Sequence, residues 1–312
     1  MTRKLNVLLA AAAMIPLGQC AAVSPVGTAM AQSAPAAPAA VNEDADPALW
    51  VVKDADTTVY LFGTVHMLRP GLSWFDEAVK EAFDKSDMLK LEVVLPEDQG
   101  EMVSKTLPLA MDQSGTKLSS LMTEPQRAAY EAAMMKLGLP TPQFDVFEPW
   151  FAGMTIGAVA LAAEGYNPEN GVEKQLSAAA KAANKPVAGL ETLDEQLSFF
   201  DTLPREAQLK FLNDTVAQLP TGAGEFADIL LAWKQGDPDA LAVRMNRSLS
   251  GSELLADVLL YRRNERWADW IKTRLDTPGT VFLAVGAGHL AGDKSVQDYL
   301  AARGLTATRI PY

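Results

Sequence analysis

The sequence predicts an α/β fold: a single domain with a central mixed β-sheet flanked by helices and interrupted by a helical insertion. Three observations lead there. β-rich runs stand near both ends of the chain, at 49–64, 88–94, 280–285 and 306–310. The long middle carries helical spacing broken by Gly and Pro. No period of 20–50 residues repeats, which removes solenoids and propellers. The 312 residues suffice for one large domain once an N-terminal leader is set aside.

That leader is residues 1–31. Arg3 and Lys4 form a positive start, Val7 to Leu17 is short and apolar, and Ala29-Met30-Ala31 is a small-residue exit. The pattern is that of a secretory signal peptide, giving a mature chain from Gln32 that is exported, periplasmic or secreted. The apolar run is shorter than a membrane span needs. Leu17-Gly18-Gln19-Cys20 loosely resembles a lipoprotein box, so a lipid anchor on Cys20 is the alternative, and the only route to a membrane. Residues 32–46, Ala/Pro-rich and then acidic, read as a flexible linker, with the folded body from 47 to 312.

Within the body, Leu49 to Lys53 and Thr58 to Thr64 flank Asp54-Ala55-Asp56-Thr57 and read as a hairpin. Ser73, with Asp76 three residues on, reads as a helix start, and Phe75, Ala78, Val79, Ala82 and Phe83 give that helix its apolar face. Met88 to Val94 is a strand ended by Pro96. Residues 100–165 read as mostly helical: Thr123 begins one helix, and Pro149 opens another that is apolar on most sides. Ser177 to Asn184 is a helix and Val187 to Glu191 a short strand. Residues 194–246 suggest two or three helices broken at Pro204, Pro220 and Gly236. A long helix follows from about Glu253 to Leu275, then a strand from Thr280 to Val285. A helix from Asp293 to Arg303, stopped by Gly304, and a strand from Thr306 to Ile310 close the chain.

Composition narrows function. Formal net charge is −12, and falls to −14 once residues 1–31 leave. With no basic cluster, the chain is a poor nucleic-acid binder, since that affinity rests on Lys and Arg at phosphates. One cysteine excludes a disulfide framework and a CxxC zinc ribbon. No G-x-S-x-G, H-E-x-x-H, P-loop or strand-borne dinucleotide fingerprint occurs. The expected partner is a peptide or small-molecule substrate; composition does not set the oligomeric state.

The chain holds only two histidines, and both sit in one local frame. Tyr60-Leu61-Phe62-Gly63-Thr64-Val65-His66 and Phe282-Leu283-Ala284-Val285-Gly286-Ala287-Gly288-His289 are each an apolar strand followed by G-x-x-H. Carboxyl ends of strands border ligand crevices in α/β sheets. Gly63 and Gly286 let backbone approach a bound group closely. A lone histidine after a strand is most often a satisfied polar residue; two in a matched frame point to one shared metal or substrate site. Glu92, on the strand face opposite Leu89 and Leu91, and Glu191, at a strand end, are the carboxylates able to join them. Otherwise each is a solvated edge glutamate. On the long helix Leu255, Leu259, Arg263 and Trp267 lie four apart, so Arg263 occupies the apolar stripe with Asn264 beside it. A charge there pairs with a carboxylate, steadies an oxyanion, or snorkels over its own stem.

Together these pieces, with Trp50-Val51-Val52, Val187 to Thr192, Glu195-Gln196-Leu197 and Arg263-Asn264-Glu265-Arg266-Trp267, resemble the TraB/GumN family, relatives of the Tiki-type metalloproteases. The resemblance implies a sheet similar to the erythromycin-esterase and ChaN-like folds. It implies one site containing His66, His289, Glu92 and the Arg263-Asn264 pair, and a divalent ion, manganese or cobalt. His66 and His289 with Glu92 or Glu191 would hold that ion, and a glutamate not bound to it would act as base. Two other readings remain open: a metal-independent His/Glu hydrolase of the esterase kind, and a non-enzymatic binder of haem, metal or another ligand.

Overall fold

The computed structural model describes residues 43–249 and 252–312. The leader, Cys20 and the linker as far as residue 42 lie outside the described residues. The strands are Glu43–Asp44 (β1), Leu49–Lys53 (β2), Thr57–Thr64 (β3), Leu72–Ser73 (β4), Met88–Val93 (β5), Val187–Glu191 (β6), Gly279–Gly286 (β7) and Thr308–Arg309 (β8). The helices are Glu77–Lys85 (α1), Gln99–Ala110 (α2), Glu124–Leu137 (α3), Thr141–Phe144 (α4), Pro149–Ala163 (α5), Val172–Ala182 (α6), Leu193–Asp201 (α7), Arg205–Lys234 (α8), Pro238–Leu249 (α9), Glu253–Ala256 (α10), Arg262–Arg274 (α11) and Val296–Ala301 (α12). One π-helical turn, Asp257–Tyr261, joins α10 to α11.

Six strands form one mixed sheet in the order β6-β5-β7-β3-β2-β8. β6, β5, β7 and β3 run parallel, while β2 is antiparallel to both β3 and β8. The hairpin between β2 and β3 turns as expected, with Asp54 Oδ1 accepting the Thr57 N–H at 2.8 Å. β7 slots between β5 and β3, in register from Thr57↔Gly279 to Thr64↔Gly286. The core strands read as continuous apolar runs because both faces are covered. Phe62, Leu89, Leu91, Phe282 and Ala284 pack on α1, α6 and the end of α8 through Val79, Phe83, Leu176, Phe226 and Trp233. Val59, Leu61, Leu283 and Val285 pack on α11 and α12 through Trp267, Ile271, Val296 and Leu300. The helical insertion builds its own apolar centres, one around Trp150, Phe200 and Phe211 and another around Tyr130, Ile156 and Leu212. Among the described residues no helix is long and apolar enough to cross a membrane.

Several boundaries differ from the sequence expectation, each for a physical reason. The packed body reaches back to Glu43, because β1 pairs with β4 and Ala45 is buried. That pairing also keeps Ser73 extended; its hydroxyl donates to Asp76 at 2.5 Å, and α1 begins only after Asp76. α6 starts at Val172, five residues before Ser177, because Gly171 seats the helix against the backbone after β3. α8 runs unbroken through Pro220, held by buried Phe211 and Leu212 before it and Phe226 and Ile229 after it. The last helix is shorter than expected, capped by Ser295 through the Asp298 N–H.

Candidate active site

The carboxyl ends of β6, β5, β7 and β3 lie side by side, and each delivers a predicted residue. Glu191 is the last residue of β6, Glu92 the penultimate residue of β5 and Gly286 the last of β7. His66 follows β3 by two residues, and His289 sits in a single 3₁₀ turn, Ala287–Leu290, directly after β7. α11 supplies Arg263 and Asn264 from the face that also carries Glu92. Arg263 and Asn264 are 2% exposed, Glu92 and His289 5% and Glu191 7%.

Gly286 marks the centre. A Cβ placed on it would lie 3.5 Å from Glu92 Oε2, 3.5 Å from His289 Cδ2 and 3.7 Å from His66 Nε2. Its absent side chain is therefore the space that the two imidazoles and the carboxylate share. The Gly286 N–H donates to Glu92 Oε2 at 3.1 Å, and His289 Nε2 lies 3.9 Å from the same oxygen. Gly63 has a different role: a Cβ there would meet the Ala287 Cα at 3.0 Å, so this glycine permits close packing of two chain segments behind the site.

Each histidine is held through Nδ1. Asn264 donates its amide N–H to the Lys294 carbonyl at 2.8 Å, which turns Oδ1 toward His289 Nδ1 at 2.5 Å. His289 thus carries its proton on Nδ1 and a lone pair on Nε2. Burial, together with the neighbouring Arg263 charge, pulls its pKa down to about 3, so the ring is neutral near pH 7. His66 Nδ1 stands 2.7 Å from Glu173 Oε1. Burial lowers its pKa, but the Glu173 carboxylate outweighs burial and the value is raised. Burial likewise favours the neutral form of Glu92; Arg263, then His289 and His66, overcome it and bring that carboxyl to about 2.

Arg263 spends every N–H on the protein. Nε donates to Glu191 Oε1 and Oε2 at 3.0 and 3.1 Å, and Nη2 donates to Glu191 Oε2 at 2.8 Å and to Glu92 Oε1. Nη1 donates to the Leu259 carbonyl at 2.9 Å and approaches His289 Nε2 at 3.3 Å. The guanidinium is also sandwiched by Phe199 and Trp267, 5.2 and 4.8 Å from its carbon to the ring centres. Glu191 is saturated too, by Arg263, Arg266, Trp267 Nε1 and Gln196. Arg263 and Asn264, expected at an oxyanion, here bond Glu92 and His289 respectively. Glu191, expected as a possible metal ligand, accepts from Arg263 in this structure.

Comparison with known proteins bears on the same stretch of chain. The model of the TraB/PrgY/gumN family matches residues 48–309, from β2 to β8. The chain belongs to this family. Its relatives include the uncharacterized protein YbaP of Escherichia coli K12, 26% identical over 254 residues, covering 81% of this chain and 92% of the relative. YbaP of Shigella flexneri matches to the same extent, and an uncharacterized protein of Treponema pallidum is 22% identical over 275 residues, 82% of this chain and 80% of its own length. No solved structure matches. The matched region of this TraB/PrgY/gumN member contains every residue of the site.

The structure brings together His66, Glu92, Arg263, Asn264 and His289, all singled out by the sequence, and adds Glu173 and a role for Gln196, which stands in the sequence only as part of Glu195-Gln196-Leu197. Glu173 lies in the first turn of α6, which begins five residues ahead of where spacing starts that helix. Gln196 donates to both Glu92 Oε1 at 2.9 Å and Glu191 Oε2 at 3.2 Å, linking two carboxylates that would otherwise repel.

The donor set can be weighed against a divalent ion. Two imidazole Nε2 atoms, both with Nδ1 held by an outer partner, and one ionised carboxylate oxygen are the ligand types of catalytic divalent sites. Among the described residues no three His, Cys, Asp or Glu side chains are placed to hold a metal ion together. Arg263 at His289 Nε2 is the group that an incoming ion would displace. The donor types suit a divalent ion, and their present arrangement does not form a ligand set for one.

Proposed function

We propose that this chain is an exported, metal-dependent hydrolase, most simply a peptidase, of the TraB/PrgY/gumN family. The observation that carries the reading is the space over Gly286, bordered by His66 Nε2, His289 and Glu92 Oε2. These three residues would hold a divalent ion, with manganese or cobalt as the first to test. When bound, such an ion polarises a carbonyl and lowers the pKa of water.

The chain's own residues prepare the site. Asn264 keeps His289 in the tautomer that presents Nε2. Arg263 keeps Glu92 ionised and aimed, and Glu191 with Gln196 keeps Arg263 in place. The layers of α11 and the helical insertion exclude bulk water from the rear of the site, which strengthens these interactions.

Mature protein stripped with a chelator and reloaded with manganese or cobalt is tested for stoichiometric metal and for cleavage of a peptide library. His66→Ala and His289→Ala are each expected to lose both. Retention of metal content and cleavage in both variants would sink the reading. N-terminal sequencing of the exported protein tests the leader: Gln32 supports signal cleavage, and a blocked, lipidated Cys20 supports an anchor.

A second reading has its own observation. Arg263 Nη1 already engages His289 Nε2, while His66 carries a carboxylate behind Nδ1. In a metal-free hydrolase His66, backed by Glu173, takes a proton from water directly. Cleavage that survives exhaustive chelation favours this route.

A further inference from the structure

His66 and His289 occupy matching sequence frames, yet their outer partners differ in kind. His289 leans on a neutral amide, Asn264. His66 leans on a carboxylate, Glu173, with the two side chains 24% and 23% exposed. The position of Glu173 is built, not incidental. The segment 167–172 is stitched to the turn after β3 by backbone hydrogen bonds: Leu68 N–H to the Asn167 carbonyl at 3.3 Å, Asn167 N–H to the Leu68 carbonyl at 3.0 Å, and Val172 N–H to the Val65 carbonyl at 3.1 Å. Asn170 adds a side-chain bond to the Leu68 carbonyl at 3.3 Å. Gly171 is obligatory in this seam, since a Cβ on it would stand 2.2 Å from the His66 carbonyl oxygen. α6 therefore begins at a fixed place, with its second residue against His66.

We propose that Glu173 is a positioning residue: it holds the His66 proton on Nδ1, so that the Nε2 lone pair faces the space over Gly286. Which ring nitrogen carries the proton is set by the hydrogen bond that the other makes or lacks. A carboxylate held there by a helix N-terminus and a backbone seam, 2.7 Å from Nδ1, favours the proton on that nitrogen. Glu173 serves both readings of the site, as the outer partner that orients and strengthens a ligand or as the group behind a base. The proposal rests on the hydrolase reading only for its consequence, since the tautomer is a property of the free protein.

With only two histidines, the ring nitrogens give four signals in a long-range ¹H–¹⁵N spectrum of the metal-free mature protein. In the neutral form, His66 is expected to show a protonated Nδ1 and a bare Nε2. Glu173→Ala is expected to move His66 to the opposite tautomer or a mixture, while the His289 signals stay in place and report that the fold is intact. Glu173→Gln, whose amide oxygen still accepts, is expected to keep the wild-type tautomer. Manganese affinity, measured by calorimetry with the metal alone, is expected to fall about 10- to 100-fold in Glu173→Ala and less in Glu173→Gln. A wild-type His66 protonated on Nε2, or a Glu173→Ala spectrum identical to wild type, overturns the proposal. The wild-type tautomer without metal binding or cleavage would leave Glu173 its role and remove the hydrolase reading instead.

Discussion

Two glycines in the same G-x-x-H frame make a sharp test at the level of single residues. Gly286 has φ −48° and ψ 132°, a conformation open to any residue, and an added Cβ meets only the site's own atoms. Gly286→Ala is expected to leave stability unchanged or raised by about 0.5 kcal/mol while abolishing metal binding, read by urea denaturation beside manganese calorimetry. Gly63→Ala forces the Ala287 backbone and is expected to cost about 1–3 kcal/mol. If Gly286→Ala binds manganese as wild type does, the shared space is not the site. Arg263 offers a second test. Replacing it with Met strands buried Glu92 without its guanidinium partner and leaves Glu191 only Arg266 as a cation, and a loss of about 3–5 kcal/mol is expected from denaturant midpoints. A variant as stable as wild type would mean that the network is dispensable to folding.

Two elements carry information that hydrophobic spacing does not. The first is α8. Pro220 lacks a backbone donor and yet sits inside a 30-residue helix on an exposed position. Helix-interior proline costs about 3 kcal/mol, so Pro220→Ala is expected to stabilise the protein by a sizeable part of that; an unchanged urea midpoint would show that the helix is already bent to suit the proline. The second is the π-helical turn at Asp257–Tyr261, immediately before α11. The Arg262 N–H bonds the Asp257 carbonyl, five residues back, and the extra residue sets the rotation at which α11 presents Arg263 and Asn264. Spacing by four correctly put Leu255, Leu259, Arg263 and Trp267 on the buried side. The turn itself was not legible, because a π-turn leaves no periodic mark in a single sequence.

Across the whole molecule, what was legible follows the covering of the sheet. β3 and β7 stood out because burial on both faces demands near-continuous apolar runs, β5 showed by its alternation, and G-x-x-H stood out because both copies end the apolar runs. The seam between residues 65–68 and 167–172, and with it Glu173, was not legible: it is made of backbone hydrogen bonds and one missing Cβ, neither of which has a side-chain signature. Pro220 misled for the converse reason, since tertiary packing on two sides overrode a local breaker. The metal reading also makes a prediction for the whole fold. Because the ligands come from β3, β5 and the turn after β7, an ion binds the native state alone. Manganese at 100 times its Kd is expected to add about 2.7 kcal/mol of stability, seen as a rise in Tm that Gly286→Ala and His66→Ala abolish. A Tm indifferent to manganese and cobalt argues for the metal-free route.

The order of strands has a further consequence for how the chain is made. A ribosome delivers β3 and β5 early and β7 near the end, yet β7 is the strand that separates them. A nascent chain that stops at Arg274 lacks the strand that joins the β2–β3 hairpin to the β5–β6 pair, since only residues 279–286 bond both β3 and β5. Assembly of the site is thereby deferred until synthesis is almost complete, and a premature stop in the last segment yields a chain with His66, Glu92 and Arg263 but no frame to bring them together.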